Sequence, residues 1–245
     1  MIRNQRVLED QLRWVYTQFP CAAYAQDADM SLRNYEDFFY HAAFADQSDP
    51  ISLWQAVHTQ QIRLVQWLNQ KNEVIMQGPN IDLKLSISDR IFINGSGQDN
   101  IPDGEIYTGP VENSVNGWVR FTYPGIKDGR EVTGIELEFK DGRVTAARAD
   151  KNEAFLQSTL DTDEGARFLG EFAIGTNPAI QRFTRNILFD EKIGGTIHLA
   201  LGNGYPETGS LNRSAIHWDL ICDMRQESQI VVDGDLFYRN GEFLL

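Results

Sequence analysis

Apolar side chains recur at three- and four-residue steps in the first third of the chain and at two-residue steps beyond it. In RVLEDQLRWVYTQF, Leu8, Leu12, Val15 and Phe19 line one stripe, which predicts an amphipathic helix ended by Pro20. A second helix is expected from about Ser31, in MSLRNYEDFFYHAAF. A third is expected from Asp49-Pro50, a capping residue followed by proline at the first helical position. It would carry Leu53, Trp54, Val57, Ile62, Val65 and Leu68.

After QGPN at 77–80 the pattern becomes short β-like runs separated by glycine. IDLKLSIS alternates Ile81, Leu83, Leu85 and Ile87 with polar neighbours, as a half-buried strand does. Asp141-Gly142, Asp233-Gly234 and Asn240-Gly241 each sit between such runs and predict hairpin turns. One further helix is expected near TDEGARFLGEF, with Thr162 as its cap. The pattern predicts an α+β protein: a helical segment, residues 1–78, followed by an antiparallel β-rich domain, residues 79–245.

Composition narrows the function classes. The 245 residues carry 22 Lys and Arg against 35 Asp and Glu, a formal charge of −13 spread along the chain. That is a poor match to a phosphate backbone, so no nucleic-acid partner is expected. Cys21 and Cys222 are the only cysteines, which is neither a disulfide framework nor a CxxC motif and fits a reducing compartment. The start is charged, and no window approaches the roughly 18 apolar residues of a membrane span. A cytoplasmic protein without a membrane partner is expected.

Two of the four histidines interrupt apolar runs, His198 in GTIHLALG and His217 in SAIHWDLI. Read as strands, these runs put His217 and Asp219 on one face, opposite Ile216, Trp218 and Leu220; His198 shares the less bulky face of its own strand with Thr196 and Ala200. A lone strand histidine is usually a satisfied core residue, whereas an HxD pair can bind a cation or orient itself. Glu105, Glu171 and Glu191 also lie among apolar or glycine-rich neighbours. A buried carboxylate needs a cation, an arginine or several backbone donors. Two histidines and four carboxylates exceed what one tetrahedral zinc takes and suit a two-metal hydrolytic centre. Tyr205, in the loop between the histidine strands, is either packed beside Pro206 or placed to donate a hydrogen bond to an oxyanion.

NIPDGEIYTGP, WVRFTYP, TDEGARFLGEFAIGTNP, NILFDEKIGGTIHLALG, GYPETG and NRSAIHWDLICD, in that order, resemble the catalytic portion of the thermophilic aminopeptidase family, the metallopeptidase group of aminopeptidases T and S. The resemblance runs from about residue 10 to the end and is most specific over 98–225. It implies two divalent metal ions, Zn, Co or Mg, and removal of N-terminal residues from peptides. By motif, the metal ligands fall on Glu105, Glu171, Glu191, His198, His217 and Asp219, with Glu171 as the bridge; in the hydrolysis this implies, a nearby carboxylate, Glu171 or Glu105, is expected to help activate the water. The active-site tyrosine falls on Tyr205. Members of the family typically carry a further α/β domain before this region that helps form a homodimer, and the chain is expected to begin after it. Two other readings stay open: a metal- or peptide-binding module without turnover, and a metallohydrolase acting on another amide or ester.

Overall fold

The computed structural model describes residue 6 and residues 11–245. Helices α1 (Ala22–Asp27), α2 (Leu32–Ala42) and α3 (Pro50–Leu68) come first. Strands β1 (Glu73–Gly78), β2 (Ile81–Ser86), β3 (Ile93–Gly95), β4 (Glu105–Thr108), β5 (Asn116–Arg120), β6 (Gly125–Lys127), β7 (Arg130–Val132), β8 (Glu136–Lys140) and β9 (Arg143–Arg148) follow. Helix α4 (Glu153–Leu160), β10 (Leu169–Gly175), α5 (Ile187–Asp190), β11 (Thr196–Gly202), β12 (His217–Asp223), β13 (Gln229–Val232), β14 (Asp235–Arg239) and β15 (Glu242–Phe243) complete the chain. The class is α+β, as the periodicities predict.

Local chemistry accounts for several boundaries. Ser31 accepts a hydrogen bond from the Asn34 amide at 3.2 Å, and Asp49 accepts one from the Ser52 amide at 3.0 Å, so α2 and α3 start at their capping residues. Ile81, Leu83 and Leu85 of β2 are buried while Asp82 and Lys84 are exposed. At all three expected hairpin turns both central residues have positive φ, 49° and 83° at Asp141-Gly142 for example, the backbone of a tight two-residue turn.

Two expectations are corrected. Leu8 lies outside the described residues, and the stretch from Leu12 to Phe19 is not helical. Its backbone pairs instead with 99–101: the Tyr16 amide donates to Asp99 O at 2.6 Å and the Ile101 amide to Tyr16 O at 2.9 Å. Val15 and Phe19 are left exposed, so the apolar spacing there does not report a packed helix face. The interrupting α-helix lies earlier than expected, at 153–160. The 164–167 stretch is one turn of 3-10 helix, capped by Asp163 rather than Thr162.

All strand pairs are antiparallel. One sheet runs β15-β14-β13-β1-β2-β5-β8-β9, a second runs β12-β11-β10-β4-β3, and β6 and β7 form a separate ribbon. Apolar residues of both large sheets, such as Met76, Leu83 and Leu137 from one and Ile106, Phe172, Leu199 and Leu220 from the other, share one buried cluster. Leu64, Val65 and Leu68 of α3 and Leu156 and Leu160 of α4 pack into it. A second cluster joins Ala25, Tyr35, Phe39 and Ala42 of α1 and α2 to Ile180, Leu188, Phe189 and Ile193. Phe189 is its knob, with ring centroids 5.2 Å from Phe38 and 6.1 Å from Phe39.

Strand β10 is bulged. Leu169 faces Leu201, and Glu171 faces Ala200, so two steps along β10 match one along β11. The extra residue is Gly170, where a methyl group would lie 2.4 Å from the carbonyl oxygens of Gly202 and Asn203. No helix among the described residues is long and apolar enough to cross a membrane.

Candidate metal centre

The register of the five-stranded sheet sorts its side chains into two faces. One carries Ile106, Phe172, Ile174, Ile197, Leu199, Leu201, Trp218 and Leu220 into the shared core. The other carries His217 and Asp219 on β12, Ala200 and His198 on β11, Glu171 and Ala173 on β10, and Glu105 and Tyr107 on β4. Small residues between the polar ones leave room above the sheet. The β10 bulge is what brings Glu171 to this face, because strict alternation from buried Leu169 would send it into the core. Glu191 reaches the same place from another direction, as the residue that ends α5.

The six side chains expected as ligands therefore meet. His198 Nε2 lies 3.1 Å from Glu105 Oε2 and 3.6 Å from Glu171 Oε1. His217 Nε2 lies 3.3 Å from Glu171 Oε2 and 3.3 Å from Asp219 Oδ1. Three groups of donors are close enough to hold a cation: Glu105, Glu171 and His198; Glu171, His217 and Asp219; Glu191, His198 and Asp219. In each, the donor atoms fall within 4.8 Å of one another. His217 Nδ1 sits 2.8 Å from Asn203 O, a contact that keeps a proton on Nδ1 and aims Nε2 at the carboxylates of Glu171 and Asp219. Tyr205 stands beside this ring, its hydroxyl 3.4 Å from His217 Nε2, with Tyr107 edge-on to it at 5.5 Å.

Electrostatics describe a site with excess negative charge. Burial alone would lower both imidazoles, yet Glu105 and Glu171 hold His198 well above its ordinary value, and Asp219 and Glu171 push His217 up to about 12. Burial raises Glu191 to about 8 and Asp103 to about 6 even though the Lys192 ammonium pulls both down. Burial likewise keeps the Tyr205 phenol protonated, helped by the carboxylates of Glu171 and Asp219. Glu105 Oε2, His198 Nε2 and Asp219 Oδ1 are enclosed, and their close contacts with neighbouring site groups lack hydrogen-bond geometry. Enclosed oxygen and nitrogen donors that converge without hydrogen bonds fit a divalent cation, which would compete with protons for the same lone pairs.

Lys192 is a site residue that the sequence reading passed over. It is fully buried, its Nζ 3.3 Å from Glu105 Oε1 and in direct contact with Glu191. The carboxylates of Glu105, Glu191 and Asp103 outweigh burial and raise it further above its ordinary value. Its signal is the one that marked the glutamates, a charge set among apolar and glycine neighbours in DEKIGG. Asp103 was missed as well; its oxygens accept from the amides of Gly97 and Gly104 and brace the loop before Glu105.

A buried row of imidazoles and carboxylates on one face of an antiparallel sheet puts the protein among those with candidate metal-binding centres. The chain belongs to the thermophilic metalloprotease (M29) family, whose model matches residues 1–243. Aminopeptidase 2 of Geobacillus stearothermophilus is 33% identical over 221 residues, 82% of this chain and 53% of that protein. Aminopeptidase T of Thermus thermophilus is 32% identical over 192 residues, 72% of this chain and 47% of that protein. The chain thus spans about half the length of these relatives. The solved structure of wild-type AmpT from Thermus thermophilus superposes with a TM-score of 0.78 at 28% identity, covering 87% of this chain and 59% of that one. A 2,5-dihydroxypyridine dioxygenase from Pseudomonas putida shares the fold alone, with a TM-score of 0.62 at 16% identity over 74% of this chain and 57% of that one. The fold by itself therefore does not fix a reaction.

Proposed function

We propose that this chain is a metal-dependent aminopeptidase that hydrolyses the N-terminal residue of peptides with a free α-amino group. The observation that carries the reading is Glu171, whose two carboxylate oxygens face imidazoles from different strands, Oε1 toward His198 and Oε2 toward His217. That is the disposition expected of a carboxylate shared between two ions. Glu105, Glu171, Glu191, His198, His217 and Asp219 would hold two divalent metals, with Zn, Co or Mg as the candidates. When bound, such a pair lowers the pKa of water and polarises a carbonyl.

The chain's own groups supply the rest. Glu171 or Glu105 accepts the proton of the attacking water, since both carboxylates lie where the metal donors converge. Tyr205 keeps its phenolic proton and donates a hydrogen bond to the developing oxyanion. Lys192 balances part of the carboxylate charge from beneath. A cytoplasmic location and a homodimeric assembly are the setting expected of a member of this family.

Metal analysis combined with turnover tests the reading. A leucine chromogenic substrate should be cleaved in the presence of cobalt or zinc, and a chelator should abolish cleavage. Glu171→Ala should lose both metal equivalents together and at least about a hundredfold in kcat, an effect of the size general acid–base catalysis contributes. Two bound metals with no product from any peptide would replace the enzyme with a binding module. Equal cleavage of N-acetylated peptides would point to a hydrolase of another amide or ester.

A further inference from the structure

The row of site residues on β12 has two unlike ends. His217 lies at one end, against Tyr205. Asp219 comes next on the same face and Ile221 follows, opposite His198. Beyond Asp219 and Ile221 a cavity of about 250 Å³ opens toward α1, α2, β6 and the 183–190 stretch. Its apolar lining is Tyr24, Tyr35, Ile126, Phe183, Ile187 and Ile221. On the other flank a cleft of about 440 Å³ runs over Glu105, Glu171, Glu191 and Tyr205. The candidate metal centre therefore lies between two spaces of different size and character.

Two of the charged groups of the smaller cavity are already engaged, Arg185 and Asp190. Arg185 donates to Asp27 O at 2.6 Å, Asp29 Oδ2 at 2.8 Å and Glu131 Oε2 at 3.2 Å. Asp190 Oδ1 accepts from the Thr184 amide at 2.7 Å and its hydroxyl at 2.8 Å. What remains to meet a ligand is mostly aromatic and aliphatic surface, with Asp219 at the metal-centre end and the exposed Asp27 as the carboxylate exceptions. Phe183 is fixed by stacking on Tyr123 at 5.3 Å, and Tyr24 and Ile187 stand partly exposed at the rim.

We propose that this cavity receives the side chain of the peptide's N-terminal residue and selects aliphatic and aromatic ones, while the cleft over Glu105 and Tyr205 holds the rest of the chain. This rests on the aminopeptidase reading. An enzyme that removes one residue at a time needs a space of finite size on the amino side of the scissile bond and an open one on the other. The cavity is the smaller of the two and shares Asp219 with the donor row. A void of roughly 150 Å³ accepts benzene, so about 250 Å³ accommodates a leucyl, phenyl or indole group.

Ile126→Trp and Phe183→Ala test the assignment from opposite directions. With the metal-loaded full chain and alanyl, leucyl, phenylalanyl and tryptophanyl chromogenic substrates, Ile126→Trp should lower the leucine-to-alanine ratio of kcat/KM about tenfold or more. Phe183→Ala should raise the tryptophan-to-leucine ratio by a similar factor. Calorimetric titration with free L-leucine and L-phenylalanine should show weaker binding in Ile126→Trp, a readout that needs no turnover. Turnover with unchanged ratios in both variants would overturn the assignment and leave the enzyme standing. No turnover on any substrate, with unaltered amino-acid binding, would overturn both.

Discussion

Lys192 is the residue whose removal separates charge from packing at the site. Lys192→Met keeps most of the buried volume and leaves Glu105 and Glu191 facing each other without their cation. Removing one partner from a buried ion cluster typically costs about 3 kcal/mol or more. The loss, read from thermal or urea unfolding, should be full in chelator and clearly smaller in saturating divalent metal, because a dication would neutralise the same carboxylates. Equal losses in both conditions would make Lys192 a packing residue. At this scale the sequence was informative wherever a charged side chain sat in an apolar run, which is how Glu105, Glu171, Glu191, His198, His217 and Asp219 were picked out. Lys192 stood in the same kind of run. It went unread because a lysine beside a glutamate also looks like an ordinary surface pair.

Asp163 shows how one cap ties two elements together. Its carboxylate accepts from the Ala166 amide at 2.9 Å at the head of the 3-10 turn, and from the Ser214 hydroxyl at 2.7 Å and the Ala215 amide at 2.6 Å on the approach to β12. Asp163→Ala should cost about 1–2 kcal/mol in urea unfolding, the range for a lost cap and its hydrogen bonds. Hydrogen bonds to the ionised form hold its folded pKa below the ordinary carboxylate value, so its contribution is present above about pH 3.9 and fades as pH falls below that. The stability gap between wild type and variant should narrow toward pH 3; a gap constant with pH would show that the carboxylate charge does not matter. Elements with a cap and a clean period, α2, α3, β2 and the three hairpins, were readable in advance. The Leu12–Phe19 stretch was not, because apolar spacing cannot tell a helix from a segment whose backbone pairs with distant residues 99–101.

At the scale of the molecule, charge is the property composition states most directly and strand pairing the one it states least. Val74 pairs with Val232 across the length of the chain, and no local pattern encodes that partner. The net charge of −13, by contrast, combines with a cleft that adds Asp99, Asp103 and Glu207 to the site carboxylates. Such a surface raises the local concentration of cationic peptides, and salt screens it over about 10 Å at 0.1 M. Under the aminopeptidase reading, kcat/KM for peptides carrying lysines after the first residue should fall several-fold between 0.05 and 0.5 M NaCl, more steeply than for neutral peptides of the same length. Identical salt slopes for the two series would show that the acidic cleft does not steer substrate.

The glycine bulge in β10 also sets a rule for chain length. Losing Gly170 alone would turn the bulge into regular strand and leave Glu171 and Ala173 above the sheet, because Leu169 and Glu171 already face successive residues of β11. Losing one residue in regular pairing, such as Phe172, would instead send Ala173 into the core and Ile174 into the space above the sheet. The bulge is thus a place in β10 where the chain can lose one residue without turning the site face over, and along the rest of the strand the centre depends on a count of residues as much as on their identity.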